Sequence, residues 1–276
     1  MLGRSDILFD EIGYWSEIKL DIIREYATAY SRILSTRKSP SFTHVYIDAF
    51  AGCGINLSRQ TGEFILGSPL NALQIEPPFK EIYLIDIDGV KTKQLKDFTK
   101  DDSRVSVYSG DCNDILLEDI YERVKYEDYK RGLCLLDPYG LHLDWDVIEQ
   151  AGQSRTIDMF LNFPVMDMNR NALWRNPDKI PFGNERMTAF WGDESWKKAA
   201  YKTIPTLFDD IQEKNSNSVI VEAFCERLKN IAGFNFVANP LPMKNSRGAV
   251  VYYLFFASQQ PIADSIIQCI FDKYRR

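Results

Sequence analysis

Apolar residues recur along this chain in two alternating rhythms. Over residues 11–34, Trp15, Ile18, Ile22, Tyr26, Tyr30 and Ile33 return at steps of three and four, which predicts an amphipathic helix. Short apolar runs follow at 45–49, 82–88, 105–108, 133–136 and 157–161. Runs of that length, bounded by turn residues, predict strands covered on both faces. Helical stretches separate them: one opening at Ser68-Pro69, one after Asp88, one over 115–124 and one over 145–151. Further on, 219–231 predicts a helix, 234–237 and 250–257 an antiparallel strand pair, and Pro261 the start of a last helix. Five strand-helix units closed by a hairpin predict an α/β fold whose mainly parallel sheet carries one antiparallel edge strand.

Chemistry collects at the predicted strand ends. The first strand runs from Val45 through Asp48 into Gly52 and Gly54, where the backbone can turn tightly and approach a ligand. Ser68 as N-cap and Pro69 at the first helical position would present free N–H groups to a carboxylate or phosphate. Between them, residues 55–67 read as a long polar loop and a candidate lid. The second strand ends on Asp86, suited to both hydroxyls of a ribose, with Asp88 capping the next helix. Asp111 either receives a purine amino group or starts the following helix. The fourth strand delivers Asp137-Pro138-Tyr139-Gly140: an acid and a proline carbonyl at the mouth of the sheet beside a stacking ring, or else a proline turn with a structural aspartate.

Lys19 interrupts the apolar stripe of the first helix. Either its stem lies along the core edge with the ammonium in water, or it faces the ligand cleft and meets an anionic group. Residues 165–206 break the α/β rhythm, interleaving Arg170, Arg175, Lys179, Arg186, Lys197 and Lys198 with Trp174, Phe182, Phe190, Trp191 and Trp196. That mixture suits phosphate contacts with stacking on bases, or a helical cap whose aromatics are core.

Composition narrows the class. With 45% hydrophobic and 26% charged residues over 276 positions, a globular protein is expected. No run approaches the ~18 apolar residues of a membrane helix and the N-terminus lacks a signal-peptide core, so a cytoplasmic location is expected. Five isolated cysteines without a C-x-x-C pair, and two histidines, argue against a zinc site, a disulfide framework or a Ser-His-Asp triad, and no metal is expected. The net charge of −6 leaves nucleic-acid contact to a local basic surface.

The strings YIDAFAGCG, GSPLNAL, YLIDID, GDCND, LLDPYG and VVYYLFFAS resemble the class I S-adenosylmethionine-dependent methyltransferases. More narrowly, with WSEIKLDIIREY and LNFPVMDMNRN, the chain resembles the three-Cys-motif partner proteins over residues 11–270. The resemblance implies a Rossmann-like methyltransferase fold with a seven-stranded sheet. Its parts would be a helical extension (1–41), a cofactor core (42–164), an insertion for target recognition (165–206) and a closing helix, hairpin and helix (207–276). It implies S-adenosylmethionine bound with its methionine end near Asp48, Phe50, Ala51, Gly52 and Gly54, its ribose at Asp86 and its adenine at Asp111. Ser68, Ile87 and Cys112 complete that set. Asp137 and Pro138 match the first half of the D-P-P-Y-like motif with which amino-methyltransferases acting on nucleic-acid bases hold the target amine. Tyr139 and Gly140 depart from it, because the second proline is replaced and the aromatic comes one position early. The expected catalytic residues are Asp137, Pro138 and Tyr139, and the expected substrate contacts are Lys19, Arg170 and Arg175. The expected activity is methyl transfer to an amino nitrogen of an RNA or DNA base. The alternative is a non-catalytic cofactor-binding or interaction module acting with a protein partner encoded nearby. A nicotinamide-dependent oxidoreductase is disfavoured, since Leu57 breaks G-x-G-x-x-G.

Overall fold

The computed structural model of the chain describes residues 7–174, 184–205 and 210–275. A short strand β1 (Asp10–Ile12) precedes the first helix, α1 (Tyr14–Thr36), whose buried face includes Ile22, Ile23, Tyr26 and Tyr30. β2 (Thr43–Asp48) is buried at five of its six positions, as its apolar run predicts. The stretch expected to be a polar loop is a hairpin instead, β3 (Ile55–Ser58) and β4 (Phe64–Leu66), with Gly62 at φ 72° in its turn. β1 adds to it in parallel, Asp10 opposite Asn56 and Ile12 opposite Ser58, so a separate three-stranded sheet forms. Periodicity could not reveal it, because no strand in it exceeds four residues and none is covered on both faces.

The remaining units follow the predicted alternation. α2 (Ser68–Leu73) leads to β5 (Glu81–Asp86), α3 (Gly89–Thr99) and β6 (Val105–Ser109). The helix expected over 115–124 begins earlier and is irregular. It comprises α4 (Cys112–Ile115), a π-helical turn (Leu116–Ile120) and α5 (Tyr121–Arg123). Next come β7 (Lys130–Leu136), α6 (Trp145–Ser154) and β8 (Ile157–Phe163), the last buried at every position. The segment after β8 holds α7 (Val165–Asn171), α8 (Asn184–Trp191), α9 (Trp196–Ala200) and a small antiparallel pair, β9 (Tyr201–Ile204) and β10 (Ile211–Lys214). The chain continues through α10 (Asn217–Asn230), β11 (Phe236–Val237), β12 (Leu241–Lys244), β13 (Val250–Ser258) and α11 (Pro261–Tyr274).

The large sheet has eight strands in the order β6-β5-β2-β7-β8-β13, with β11 and β12 both on the outer side of β13. β6, β5, β2, β7 and β8 run parallel. β13 is antiparallel to β8, pairing Phe255 with Leu161, and lies one place in from the edge. β12 escaped the sequence reading because Pro242 sits within it; an outer strand tolerates that missing N–H. Two apolar layers cover the sheet. One packs α4, α6, α8 and α10 on one face; the other packs α1 and α11 on the opposite face, through Tyr26, Phe256, Ile267 and Phe271. Strand order reverses at β2: β5 lies to one side and β7 to the other. Their carboxyl ends therefore diverge there and leave a crevice.

Candidate functional site

The crevice holds two cavities that share Phe50, Asp86 and Tyr139 in their walls. The smaller, about 330 Å³, lies between the β2 turn, α1, the loop after β7 and the β1-β3-β4 sheet. The larger, about 600 Å³, lies above β5 and β6 and is lined by Ile87, Asp111, Cys112, Asn113, Leu141 and Arg186 among others.

The turn after β2 is built for close approach. Gly52 and Gly54 have φ of 65° and 84°, and a Cβ on Gly54 would stand 2.9 Å from Leu95. The Gly52 N–H donates to Asp86 Oδ2 at 2.8 Å and the Asp88 N–H to Asp86 Oδ1 at 2.9 Å. Asp86 therefore clamps the glycine turn from the end of β5, and each of its oxygens keeps a further lone pair for a ligand. Ser68 is the first residue of α2 rather than its cap; Gly67 takes the N-cap position and no side chain caps the helix. The Ser68 side chain is freed from capping and lines the smaller cavity beside Asn56.

Asp48 ends β2 fully buried, with Oδ1 accepting the Phe50 N–H at 3.3 Å and Oδ2 without a hydrogen-bond partner among the described residues. Burial pushes its carboxyl up to about 7, against the pull of the neighbouring Ser68 hydroxyl and the Phe50 N–H. Asp111 caps α4 through the Asn113 N–H at 2.9 Å, the helix-start role, and also lines the larger cavity. Burial raises the Cys112 thiol to about 12, which makes it an inert wall residue.

At the end of β7, both oxygens of Asp137 are engaged. Oδ2 pairs with Lys19 Nζ, and Oδ1 accepts from Asn162 Nδ2 at 2.7 Å. Lys19 is only 7% exposed, and its ammonium also lies 5.6 Å from the centre of the Tyr252 ring. Of the two readings of Lys19, the structure adopts the one in which it faces the cleft. Asn162, at the carboxyl end of β8, and Tyr252, on β13, were not singled out in the sequence. Asn162 stands in an apolar run where a polar residue is costly unless bonded, and that was the available signal. Pro138 lines the cavity, and Tyr139 projects with 74% of its surface exposed. Gly140 follows at φ 62°, where a Cβ would lie 2.6 Å from Asp167 Oδ2 of α7, so this departure from the D-P-P-Y pattern has a steric cause.

The smaller cavity is walled by the N-terminal strand. Lys91 of α3 bonds both oxygens of Asp10 at 2.9 Å, and Gln94 exchanges two 2.8 Å hydrogen bonds with the Leu8 backbone. Burial pulls the Lys91 ammonium down but the Asp10 carboxylate outweighs it, leaving the group above its ordinary value.

Not every expected residue arrives here. Arg170 lies exposed in the last turn of α7 and lines neither cavity, while Arg175, Lys179 and Phe182 lie outside the described residues. Phe190, Trp191 and Trp196 are buried, and Phe190 stacks on Phe224 at 5.8 Å in a cluster with Phe163 and Phe255. These rings are core, as the cap reading has it, and are not free to stack on bases. Among the described residues no group of three His, Cys, Asp or Glu side chains is placed to hold a metal, and no helix is long and apolar enough to cross a membrane.

No family model matches the chain, and no curated protein matches it. Among solved structures, it is similar to protein LPL1258 from Legionella pneumophila over 92% of this chain and 91% of that one, with 13% identity and a TM-score of 0.52. It is also similar to the putative methyltransferase yhhF from Escherichia coli (14% identity, 83% and 85% covered, TM-score 0.35). A third is TYW2 from M. jannaschii in complex with AdoMet (12% identity, 88% and 75% covered, TM-score 0.34). The strand order and the likeness to LPL1258 make the fold a Rossmann-like α/β fold. The glycine turn and Ser68 line the smaller cavity, Ile87, Cys112 and Leu141 line the larger, and Asp86 stands in the wall of both, whereas Asp48 is fully buried and lines neither.

Proposed function

We propose that this protein is an S-adenosylmethionine-dependent methyltransferase acting on an amino nitrogen of a nucleic-acid base. The observation that carries the reading is the placement of Asp137 and Pro138 in the wall of the cavity that also receives the glycine turn, so acceptor and cofactor positions share one space. Bound there, the cofactor supplies an activated methyl on a sulfonium. The chain supplies orientation, which is worth much of the rate when the leaving group is already activated. Gly52, Gly54 and Ser68 hold the amino-acid end, Asp86 the ribose, and Asp111 with Ile87 and Cys112 the adenine. Asp137, fixed by Lys19 and Asn162, and the Pro138 carbonyl accept hydrogen bonds from the target amine. They aim its lone pair, and Asp137 takes up the proton that nitrogen sheds. The exposed Tyr139 ring offers a face for the base, which must be flipped out or unpaired to reach it. Membership of the three-Cys-motif partner proteins, and with it a partner encoded nearby, belongs to the same reading.

The test pairs calorimetry with transfer. Wild type is expected to bind S-adenosylhomocysteine and to transfer label from methyl-labelled cofactor into total cellular RNA or DNA. Asp137→Ala is expected to keep binding within a few-fold and lose at least 100-fold in transfer. Binding with no incorporation into RNA, DNA or protein would leave the non-catalytic module as the correct reading.

A further inference from the structure

Every carboxylate that lines the smaller cavity already has a partner. Asp137 holds Lys19 and Asn162, Asp10 holds Lys91, Glu11 meets Arg59 Nε at 3.4 Å, and Asp86 takes two backbone N–H groups. Lys19 is the telling member, because its ammonium is buried against the one carboxylate that faces the proposed acceptor position. From this pairing we infer that Lys19 is a specificity-determining residue that restricts the acceptor to an amine uncharged at nitrogen, such as the exocyclic amine of a base, and rejects alkylammonium groups such as protein lysine. The inference rests on the proposed methyltransferase reading and narrows its substrate class.

The physical argument is one of charge and lone pairs. An alkylammonium enters a site through an unpaired carboxylate, and here it would meet a carboxylate already neutralised by a buried cation, with a cationic sulfonium facing it. An amine conjugated to a heteroaromatic ring is neutral near pH 7 and needs only acceptors. Asp137 retains lone pairs beyond the two used by Lys19 and Asn162, and the Pro138 carbonyl adds another. When such a nitrogen forms its bond to the methyl carbon, the electrons of the C–S bond stay on sulfur and one N–H proton passes to Asp137. No second ammonium has to be accommodated on the way.

The discriminating measurement does not require the true substrate. Sinefungin carries an ammonium where the transferable methyl stands, whereas S-adenosylhomocysteine carries none. In Lys19→Met, which leaves Asp137 unpaired, the affinity ratio is expected to shift at least tenfold toward sinefungin; Lys19→Arg should leave it within about twofold of wild type. A ratio unmoved in Lys19→Met, with S-adenosylhomocysteine still bound, would overturn the inference. Should Lys19→Met not fold, wild type offered labelled cofactor with equal masses of total RNA and poly-L-lysine decides instead. Label confined to RNA supports the inference, and label in poly-L-lysine overturns it. If wild type binds neither analogue, the methyltransferase reading itself fails and this inference goes with it.

Discussion

Asp48 shows how a single side chain can work against the fold that holds it. Its carboxyl is raised from 3.8 to about 7, chiefly by burial, so between about pH 4 and 7 the native chain keeps a proton that the unfolded chain has released. Native stability therefore falls as pH rises through that window and is flat above it. Asp48→Asn removes the slope. Relative to wild type it is expected to gain nothing near pH 4 and up to about 4 kcal/mol by pH 8, read from urea denaturation across that range. Gly140 carries the opposite lesson. Its positive φ and the closeness of Asp167 mean that Gly140→Ala should cost roughly 1–2 kcal/mol and misplace Tyr139. Equilibrium unfolding measures the first effect and loss of methyl transfer the second. At this scale the sequence was legible where a residue type is demanding, as at Gly52 and Gly54. It was not legible for Lys19, whose two rotamer families, toward water or toward the cleft, are decided by an aspartate 118 positions away.

Elements were legible in proportion to how much of them is buried. β2, β5, β7 and β8 read directly because both faces are covered and their interiors are mostly apolar. β1, β3, β4 and β12 were missed because strands of three or four residues with polar or proline positions have no detectable period. The segment after β8 left two readings open for another reason. Tryptophan and phenylalanine beside lysine and arginine give the same string whether the rings point inward or outward, and α10 decides it by presenting Phe224 to Phe163, Phe190, Trp191 and Phe255. Phe224→Ala is accordingly expected to cost about 3–5 kcal/mol, enough to lower Tm by several degrees in a thermal melt.

For the whole molecule, the reversal of strand order at β2 is what gathers Asp86, Asp111, Asp137 and Asn162, spread over 77 positions of sequence, at one end of the sheet. The central strands cannot separate without unfolding the protein, but the wall over the cavity is made differently. β1 and β3 meet over three residue pairs, and the Lys91–Asp10 bridge that ties β1 to α3 is partly exposed, a contact worth about 0.5–1 kcal/mol. Local opening there takes far less free energy than global unfolding. Amide hydrogens at residues 10–12 and 55–58 should therefore exchange with deuterated water orders of magnitude faster than those of β2, β7 and β8. A cofactor that binds only the closed form slows them in proportion to its concentration over Kd, without changing the central strands below the global limit. Through the strand that walls its cavity, the protein would report how much of the cavity is filled.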